Sequence, residues 1–207
     1  MKIYFIRHGE TLWNTLKVFQ GTSNSPLTEK GKTQAIKLGE KLKDVKFTKF
    51  YSSPLGRTIE TSEHILQNRD INIELIDEFK EISVGEMEGV RREIFEGKYP
   101  QQFYNFFNNP KDYDPSLFNG ENYYQLIERV KIGLDKIIKN HKKDDIVAVV
   151  SHGVTLKAVF MIVKNLTFEE LGKVDVPKNT SLSIVDYTDG KYSIDLFSDT
   201  SHIDGGI

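Results

Sequence analysis

The sequence contains no cysteine, which excludes disulfide bonds, thiolate nucleophiles and cysteine-ligated metal sites. Long apolar runs are also absent, and no segment approaches the roughly 20 apolar residues that a membrane-spanning helix needs. The first residues, MKIYFIRHGE, break a short apolar run with Arg7 and show no signal-peptide pattern. We therefore expect a cytoplasmic protein that does not associate with membranes.

An excess of charge of one sign is missing as well. The chain carries 28 Lys and Arg against 30 Asp and Glu, which gives a formal net charge of −2. Nucleic-acid-binding domains usually have a strongly basic face, so nucleic acid is not an expected partner. Internal repeats and low-complexity linkers are also absent. The 207 residues are enough for one hydrophobic core, and residues 1–207 are expected to form a single domain.

Strand and helix patterns alternate along most of the chain. Short β-branched or aromatic runs predict strands, and apolar residues at three- and four-residue spacing predict helices. Strands are predicted at residues 2–6, 49–53, 146–150, 181–187 and 192–197, the last two as a hairpin, and helices at 28–45, 57–67, 122–139 and 155–164. This alternation predicts an α/β protein, a three-layer α/β/α sandwich with a mostly parallel central sheet. The final residues, SHIDGGI, are predicted to be a loose tail.

Residues 86–120 differ from the rest because they concentrate aromatic side chains: Phe95, Tyr99, Phe103, Tyr104, Phe106, Phe107, Tyr113 and Phe118. One interpretation is an inserted, mainly helical segment that packs these rings on the body of the domain. The other is a lid or specificity wall over a pocket. The two interpretations are compatible.

Two strands end in the same short motif. The first predicted strand leads into Arg7-His8-Gly9, and the strand at 146–150 leads into Ser151-His152-Gly153. Ligands of α/β sheets bind beyond the carboxyl ends of the strands, so central parallel strands would direct both imidazoles into one crevice. A single histidine at a strand end is more often structural, but the repeated pattern favours catalysis.

Two arginines follow strands at the same edge of the predicted sheet. Arg7 precedes His8, and Arg57 stands after Pro54-Leu55-Gly56 at the start of a helix. Guanidinium groups bind phosphate oxygens in bidentate fashion, and a helix N-terminus adds a favourable dipole. Any single arginine is more often a solvated surface charge. Two arginines with two histidines nonetheless indicate a site for a dianion.

Other chemistries fit the residues less well. His8 and His152 with a carboxylate would resemble a metal triad, but nearby guanidinium groups would repel a divalent cation, so neither a metal nor a cofactor is expected. Gly31-Lys32-Thr33 suggests a phosphate-binding P-loop, but that motif needs glycine where the chain has Pro26.

An ordered set of motifs resembles the histidine phosphatase superfamily, which includes phosphoglycerate mutases and many small-molecule phosphatases. The motifs span nearly the whole chain: RHGET at 7–11, Trp13-Asn14, Gly21, Pro26-Leu27-Thr28, SSPLGRTIET at 52–61, Glu81, Gly85, Glu88-Gly89, SHG at 151–153 and Asn179-Thr180-Ser181. The chain departs from the usual pattern at Asn24, Thr58 and Met87. These departures bear on substrate preference, since none belongs to the expected catalytic set.

The resemblance implies a role for each matching residue. His8 is expected to be the nucleophile that becomes phosphohistidine, and Glu81 the proton donor to the leaving oxygen. Arg7, Arg57 and His152 are expected to hold the phosphoryl oxygens. Further substrate contacts are expected from Asn14 and from the backbone near Gly21, Thr22 and Gly153.

The function that follows is a metal-independent phosphatase acting on a small phosphomonoester. A phosphoglycerate mutase is the alternative, but the mutases carry an Asn-Glu-Arg-His-Tyr-Gly stretch where this chain has Lys80-Glu81-Ile82-Ser83-Val84-Gly85. A non-catalytic binder of phosphorylated ligands is the second alternative, and it would not need His8 or Glu81. The sequence leaves open both the substrate and a homodimer formed through edge strands or exposed aromatics.

Overall fold

The computed structural model describes residues 1–204, and within them six strands form one sheet. The strands are β1 (Lys2–Arg7), β2 (Lys49–Ser52), β3 (Ile73–Leu75), β4 (Ile146–Ser151), β5 (Leu182–Thr188) and β6 (Lys191–Asp199). Their spatial order is β3-β2-β4-β1-β5-β6. The first four strands in this order are parallel, whereas β5 pairs antiparallel with both β1 and β6. The sheet is thus mainly parallel, as predicted.

Helices cover both faces of the sheet. In chain order they are α1 (Leu12–Thr15), α2 (Glu29–Lys41), α3 (Gly56–Leu66), α4 (Arg92–Lys98), α5 (Pro100–Asn108), α6 (Tyr123–Asn140), α7 (Gly153–Val163) and α8 (Ser201–Asp204). On one face, α2 and α3 bury Leu38 and Ile65. On the other face, α6 and α7 bury Leu134 and Val159. This arrangement confirms the three-layer α/β/α sandwich.

Local sequence accounts for where the elements begin. The Thr28 hydroxyl accepts the Gly31 N–H and starts α2, and Asn122 with Gln125 forms a capping box at the start of α6. Strand β4 has apolar side chains on both faces because helices cover both of its sides. Within the described residues, no helix is both long enough and apolar enough to cross a bilayer.

The structure contains elements that the sequence-based prediction lacks, among them α1, β3 and α8, and α2 ends at Lys41 instead of residue 45. Strand β3 was not expected, because it has only three residues, Ile73-Glu74-Leu75, and the last two of them are exposed. The prediction of a loose tail is wrong for Ser201–Asp204, which form α8. The Lys41 ammonium donates to the Ser201 hydroxyl at 2.7 Å and also contacts Asp199, so α2 fixes the start of this helix. The rest of the predicted tail, residues 205–207, lies outside the described residues.

The aromatic segment at 86–120 packs its rings into the core. Phe95 is fully buried, and its ring centroid lies 5.2 Å from that of Phe19, 5.9 Å from Phe103 and 5.2 Å from Phe118. All three contacts are edge-to-face, a favoured geometry for aromatic pairs. One of these rings, Phe19, comes from outside the segment, so α4 and α5 pack against the body of the domain through it.

We predict that Phe95→Ala lowers the free energy of unfolding by about 3–5 kcal/mol, because it opens a cavity among these rings. Ile94→Ala in the same helix is the matched control, since Ile94 is 56% exposed, and it should change stability by less than about 0.5 kcal/mol. Urea unfolding followed by circular dichroism measures both values. Similar losses for the two variants would contradict the assignment of Phe95 to the core.

Candidate active site

The pairing of β1 with β4 brings the two His-Gly motifs together. These strands are adjacent and parallel, and Arg7 is the register partner of Ser151. The residue that directly follows each strand is a histidine, and the ring centroids of His8 and His152 are 5.3 Å apart. Both histidines therefore lie at the carboxyl edge of the sheet, as the repeated motif predicts.

His8 is buried and is held in one tautomer. Its Nδ1 lies 2.8 Å from the carbonyl oxygen of Gly9. Because a carbonyl only accepts hydrogen bonds, Nδ1 carries the proton and Nε2 keeps a free lone pair. Burial lowers the pKa of His8 well below its usual range, and the charges of Arg57 and Arg7 lower it further. His8 is thus a neutral imidazole with a nucleophilic nitrogen.

His152 lies beside His8, and protein groups occupy both of its ring nitrogens. Arg57 Nε donates to His152 Nδ1 at 3.2 Å, so Nε2 carries the proton and donates to the Ser53 hydroxyl at 2.8 Å. Burial lowers the pKa of His152 well below its usual range, and Arg57 adds to the effect. A direct bond from His152 to a bound oxygen requires one of these two contacts to be exchanged, so its expected role stays a prediction.

Arg57 is a buried cation fixed at the start of α3. Its guanidinium donates to the carbonyl oxygens of Gly21 at 2.8 Å and Ser23 at 2.7 Å, and its backbone N–H donates to Asn24 Oδ1 at 2.9 Å. Burial lowers its pKa to about 10. Together with the bond to His152, these contacts use three of its five side-chain N–H groups and leave two for a ligand.

Arg7 provides a second cation with spare donors. Its Nη1 donates to the carbonyl oxygen of Pro177 at 2.8 Å, and its Nε has no hydrogen-bond partner within residues 1–204. Burial lowers its pKa to about 10. A Cβ atom on Gly153 would lie 3.2 Å from the Arg7 guanidinium carbon, so glycine at this position lets Arg7 pack against the start of α7.

Glu81 is held at the N-terminus of α7. Its carboxylate accepts the backbone N–H groups of Val154 at 3.1 Å and Thr155 at 3.0 Å, and the Thr155 hydroxyl at 3.0 Å. A helix N-terminus attracts an acidic group in this way. Strand β3 runs parallel to β2 and ends shortly before this residue, which brings Glu81 to the same edge of the sheet.

The expected site residues mostly share one cavity of about 290 Å³, a size suited to a small molecule. Those that line it are Arg7, His8, Asn14, Gly21, Arg57, Glu81 and Gly153. His152 is fully buried behind them. Thr22 is not in the lining, and its backbone N–H, which was expected to contact the substrate, donates instead to Glu88 Oε1 at 2.9 Å.

Two further residues, Glu88 and Arg92, belong to this site, although the sequence motifs imply no role for either of them. The Glu88 carboxylate accepts the Thr22 and Ser23 backbone N–H groups at 2.9 and 2.8 Å, which fixes the loop whose carbonyls hold Arg57. Burial raises the pKa of Glu88, but the hydrogen bonds from Ser23 and Thr22 outweigh this and leave it below its usual value. Arg92 lines the cavity from α4. In the sequence, only the position of Arg92 within the aromatic segment could have indicated that it lines the cavity.

Sequence comparisons with known proteins identify one family to which the chain is similar. A sequence profile of the histidine phosphatase superfamily (branch 1) matches residues 3–200. The metal-independent phosphoserine phosphatase of Arabidopsis thaliana is 32% identical over 205 residues, which is 98% of this chain and 83% of that protein. A Salmonella arizonae protein named "Probable phosphoglycerate mutase GpmB" is 29% identical over 221 residues, covering 99% of this chain and 95% of the relative.

A solved structure is similar over the whole fold. Bacillus stearothermophilus YhfR superposes with a TM-score of 0.93 at 32% identity, covering 98% of each chain. The chain therefore belongs to branch 1 of the histidine phosphatase superfamily. The resemblance inferred from the sequence motifs is confirmed, and relatives in this superfamily are named both as phosphatases and as mutases.

We predict that His8 and His152 stay neutral in the folded protein as the pH falls below 6.5, the ordinary value for histidine. The unfolded chain binds protons on both rings in this range and the native chain does not, so stability decreases as the pH falls below about 6.5. NMR titration of the imidazole C–H resonances measures the folded values, and the protein in concentrated urea is the reference. Native midpoints for both rings near 6.5 would contradict the prediction.

Proposed function

We propose that this protein is a phosphatase that hydrolyses small phosphomonoesters without a metal ion, through a phosphohistidine at His8. The observation that carries the proposal is a neutral His8 with a free Nε2 lone pair, in a cavity that also presents Arg7 and Arg57. A protonated imidazole has no lone pair for phosphorus, so the lowered pKa of His8 keeps the nucleophile ready at neutral pH.

In the first step, Nε2 of His8 attacks phosphorus and the bond from phosphorus to the ester oxygen breaks. The leaving oxygen of an alkyl ester is strongly basic and must take up a proton. Glu81 in its protonated form supplies it, because Glu81 is the acidic residue that lines the same cavity as His8. The products of this step are the free alcohol, a Glu81 carboxylate and a phosphorylated His8.

In the second step, water attacks the phosphorus of the phosphohistidine and the phosphorus–nitrogen bond breaks. The Glu81 carboxylate takes the proton from this water. Inorganic phosphate leaves, and His8 returns to its neutral form with the proton still on Nδ1. One carboxyl group therefore acts as acid and then as base, and Glu81 finishes the cycle protonated as it began.

Two arginines supply the positive charge that the transferring phosphoryl group needs. Arg7 and Arg57 keep unused N–H groups at the cavity, and their bonds to protein carbonyls hold them in place before substrate arrives. Such preorganised donors stabilise the charge of the transition state without reorganisation. Positive charge fixed in this way supports a reaction that proceeds without a divalent cation.

A mutase is the second candidate, and the name of the Salmonella arizonae relative favours it. A mutase must protect its phosphohistidine from water and return the phosphoryl group to a second substrate. Ile82 and Val84 line the cavity next to Glu81, where the mutase motif has arginine and tyrosine. Apolar side chains at these positions support hydrolysis over transfer between phosphoglycerates.

We predict that phosphate release from a panel of phosphomonoesters survives excess EDTA and falls to background in His8→Ala. The panel includes 3-phosphoglycerate and 2,3-bisphosphoglycerate, and His64→Ala on the outside of α3 is the matched control. Transfer between phosphoglycerates without release would support the mutase. Release that EDTA abolishes would overturn the metal-independent mechanism. Ester binding without turnover would indicate a non-catalytic binder.

We predict that Glu81→Gln slows hydrolysis of an alkyl ester such as glycerol 3-phosphate by about 10²–10⁴-fold, because the leaving oxygen loses its acid. With 4-nitrophenyl phosphate the leaving group departs as an anion, so the variant should still give a rapid burst of 4-nitrophenolate and then accumulate phosphohistidine. Stopped-flow absorbance measures the burst. If the burst slows as much as alkyl-ester turnover does, Glu81 does not protonate the leaving group.

A further inference from the structure

A turn in front of β5 lies directly against the backbone of His8. The turn carries the Asn179-Thr180-Ser181 motif, which ends immediately before the first residue of β5. Strand β5 pairs antiparallel with β1, and the turn extends this contact past the end of the pairing. The Thr180 backbone N–H donates to the carbonyl oxygens of Arg7 at 3.0 Å and His8 at 3.2 Å. The motif therefore contacts the chain at the point where β1 delivers the nucleophile.

The backbone of this turn is strained at Thr180. The φ angle of Thr180 is +57°, and the residue is fully buried. A β-branched residue is rarely found in the left-handed region, because its Cβ crowds the following carbonyl group. The Ser181 N–H closes the turn on the Lys178 carbonyl oxygen at 3.1 Å, and the Thr180 hydroxyl donates to Gln34 Oε1 at 3.3 Å. Strain that the surroundings maintain in this way is concentrated at functional sites.

The side-chain amide of Asn179 reaches three acceptors around the nucleophile. Its Nδ2 donates to the carbonyl oxygens of His8 at 3.0 Å and Gly9 at 3.4 Å, and to Asn14 Oδ1 at 3.3 Å. Because carbonyl oxygens only accept, the NH2 end of Asn179 faces them. The Gly9 carbonyl is also the group that accepts the Nδ1 proton of His8 at 2.8 Å. One side chain thus contacts both the backbone of His8 and the acceptor that sets its tautomer.

The three acceptors depend on Asn179 to different degrees. Asn14 Oδ1 also accepts the backbone N–H and the hydroxyl of Thr11, each at 3.1 Å, so two other donors hold the side chain of Asn14. Within residues 1–204, the Gly9 carbonyl oxygen accepts only from His8 and Asn179. Removal of the Asn179 amide therefore frees the acceptor of the His8 proton more than it frees Asn14.

We propose that Asn179 is a positioning residue for the nucleophile, and that the strained turn at Thr180 places its amide. The NH2 group of Asn179 fixes the Gly9 carbonyl, which keeps the proton of His8 on Nδ1 and leaves Nε2 free to attack phosphorus. This inference rests on the proposed function, in which His8 is the nucleophile. Asn179 does not line the cavity, so it acts through His8 and not on the substrate.

The kinetic test uses 4-nitrophenyl phosphate with Asn179→Ala and with Asn179→Asp, which keeps the size of the side chain but places an acceptor before two carbonyls. In both variants kcat/KM should fall by about 10- to 100-fold, because a displaced nucleophile slows the first chemical step. The inhibition constant of inorganic phosphate should change by less than about threefold, since Arg7 and Arg57 keep their positions. Equal losses in kcat/KM and in phosphate affinity would indicate a merely structural role and overturn the proposal.

Asn108→Ala is the matched control. The Asn108 amide also donates to a backbone carbonyl, that of Tyr104 at 3.1 Å, but it lies exposed at the end of α5. This variant should leave both kcat/KM and the inhibition constant of phosphate unchanged. Urea unfolding of each variant shows that the folded protein is being compared.

The tautomer of His8 separates this proposal from the proposed function, because nitrogen-15 NMR of the imidazole needs no turnover. In the wild-type protein, Nδ1 should show the chemical shift of a protonated nitrogen and Nε2 that of an unprotonated one. In Asn179→Ala both shifts should move toward intermediate values, and in Asn108→Ala they should not. This result supports the role of Asn179 even if no ester is hydrolysed. A wild-type His8 protonated on Nε2, or unchanged shifts and kcat/KM in Asn179→Ala, overturns it even if His8-dependent hydrolysis is confirmed.

Discussion

The parallel pairing of β1 with β4 is the constraint on which the rest of the site depends. Its register sets Arg7 opposite Ser151 and so places His8 beside His152 at the edge of the sheet. A shift of one residue would turn each side chain to the other face of the strand. Both strands are buried between helical layers, and this burial makes the register costly to change.

Burial of charge has opposite consequences for the two kinds of basic residue in the site. The arginines stay cationic because carbonyl oxygens of the loops around Gly21 and Pro177 accept their N–H groups. The histidines become neutral, since a proton on His8 or His152 would add charge beside a guanidinium in a poorly solvated space. The same guanidinium groups thus favour a bound anion and keep His8 neutral.

The aromatic segment combines packing with recognition. Phe95 and Phe118 are buried within it, whereas Phe106 and Phe107 reach the cavity. Phe106 and Phe107 therefore form one wall of the site. Phe106 also packs against Phe19 of the domain body, and the guanidinium of Arg92 lies over the ring of Phe107. This wall comes from the aromatic segment, whereas Arg7 and His8 come from the edge of the sheet.

The sequence by itself determined the α/β architecture, both His-Gly motifs and the cluster around His8, because buried strands and their terminal motifs are local patterns. Only the tertiary structure decided the rest. Strand β3 is too short and exposed to show a pattern, and it owes its existence to pairing with β2. Glu88 accepts a hydrogen bond from Thr22, and Arg92 lies over the ring of Phe19. Both contacts join residues that are distant in sequence, so no local sequence pattern predicts them. Such roles become visible only when the folded chain fixes which charges meet.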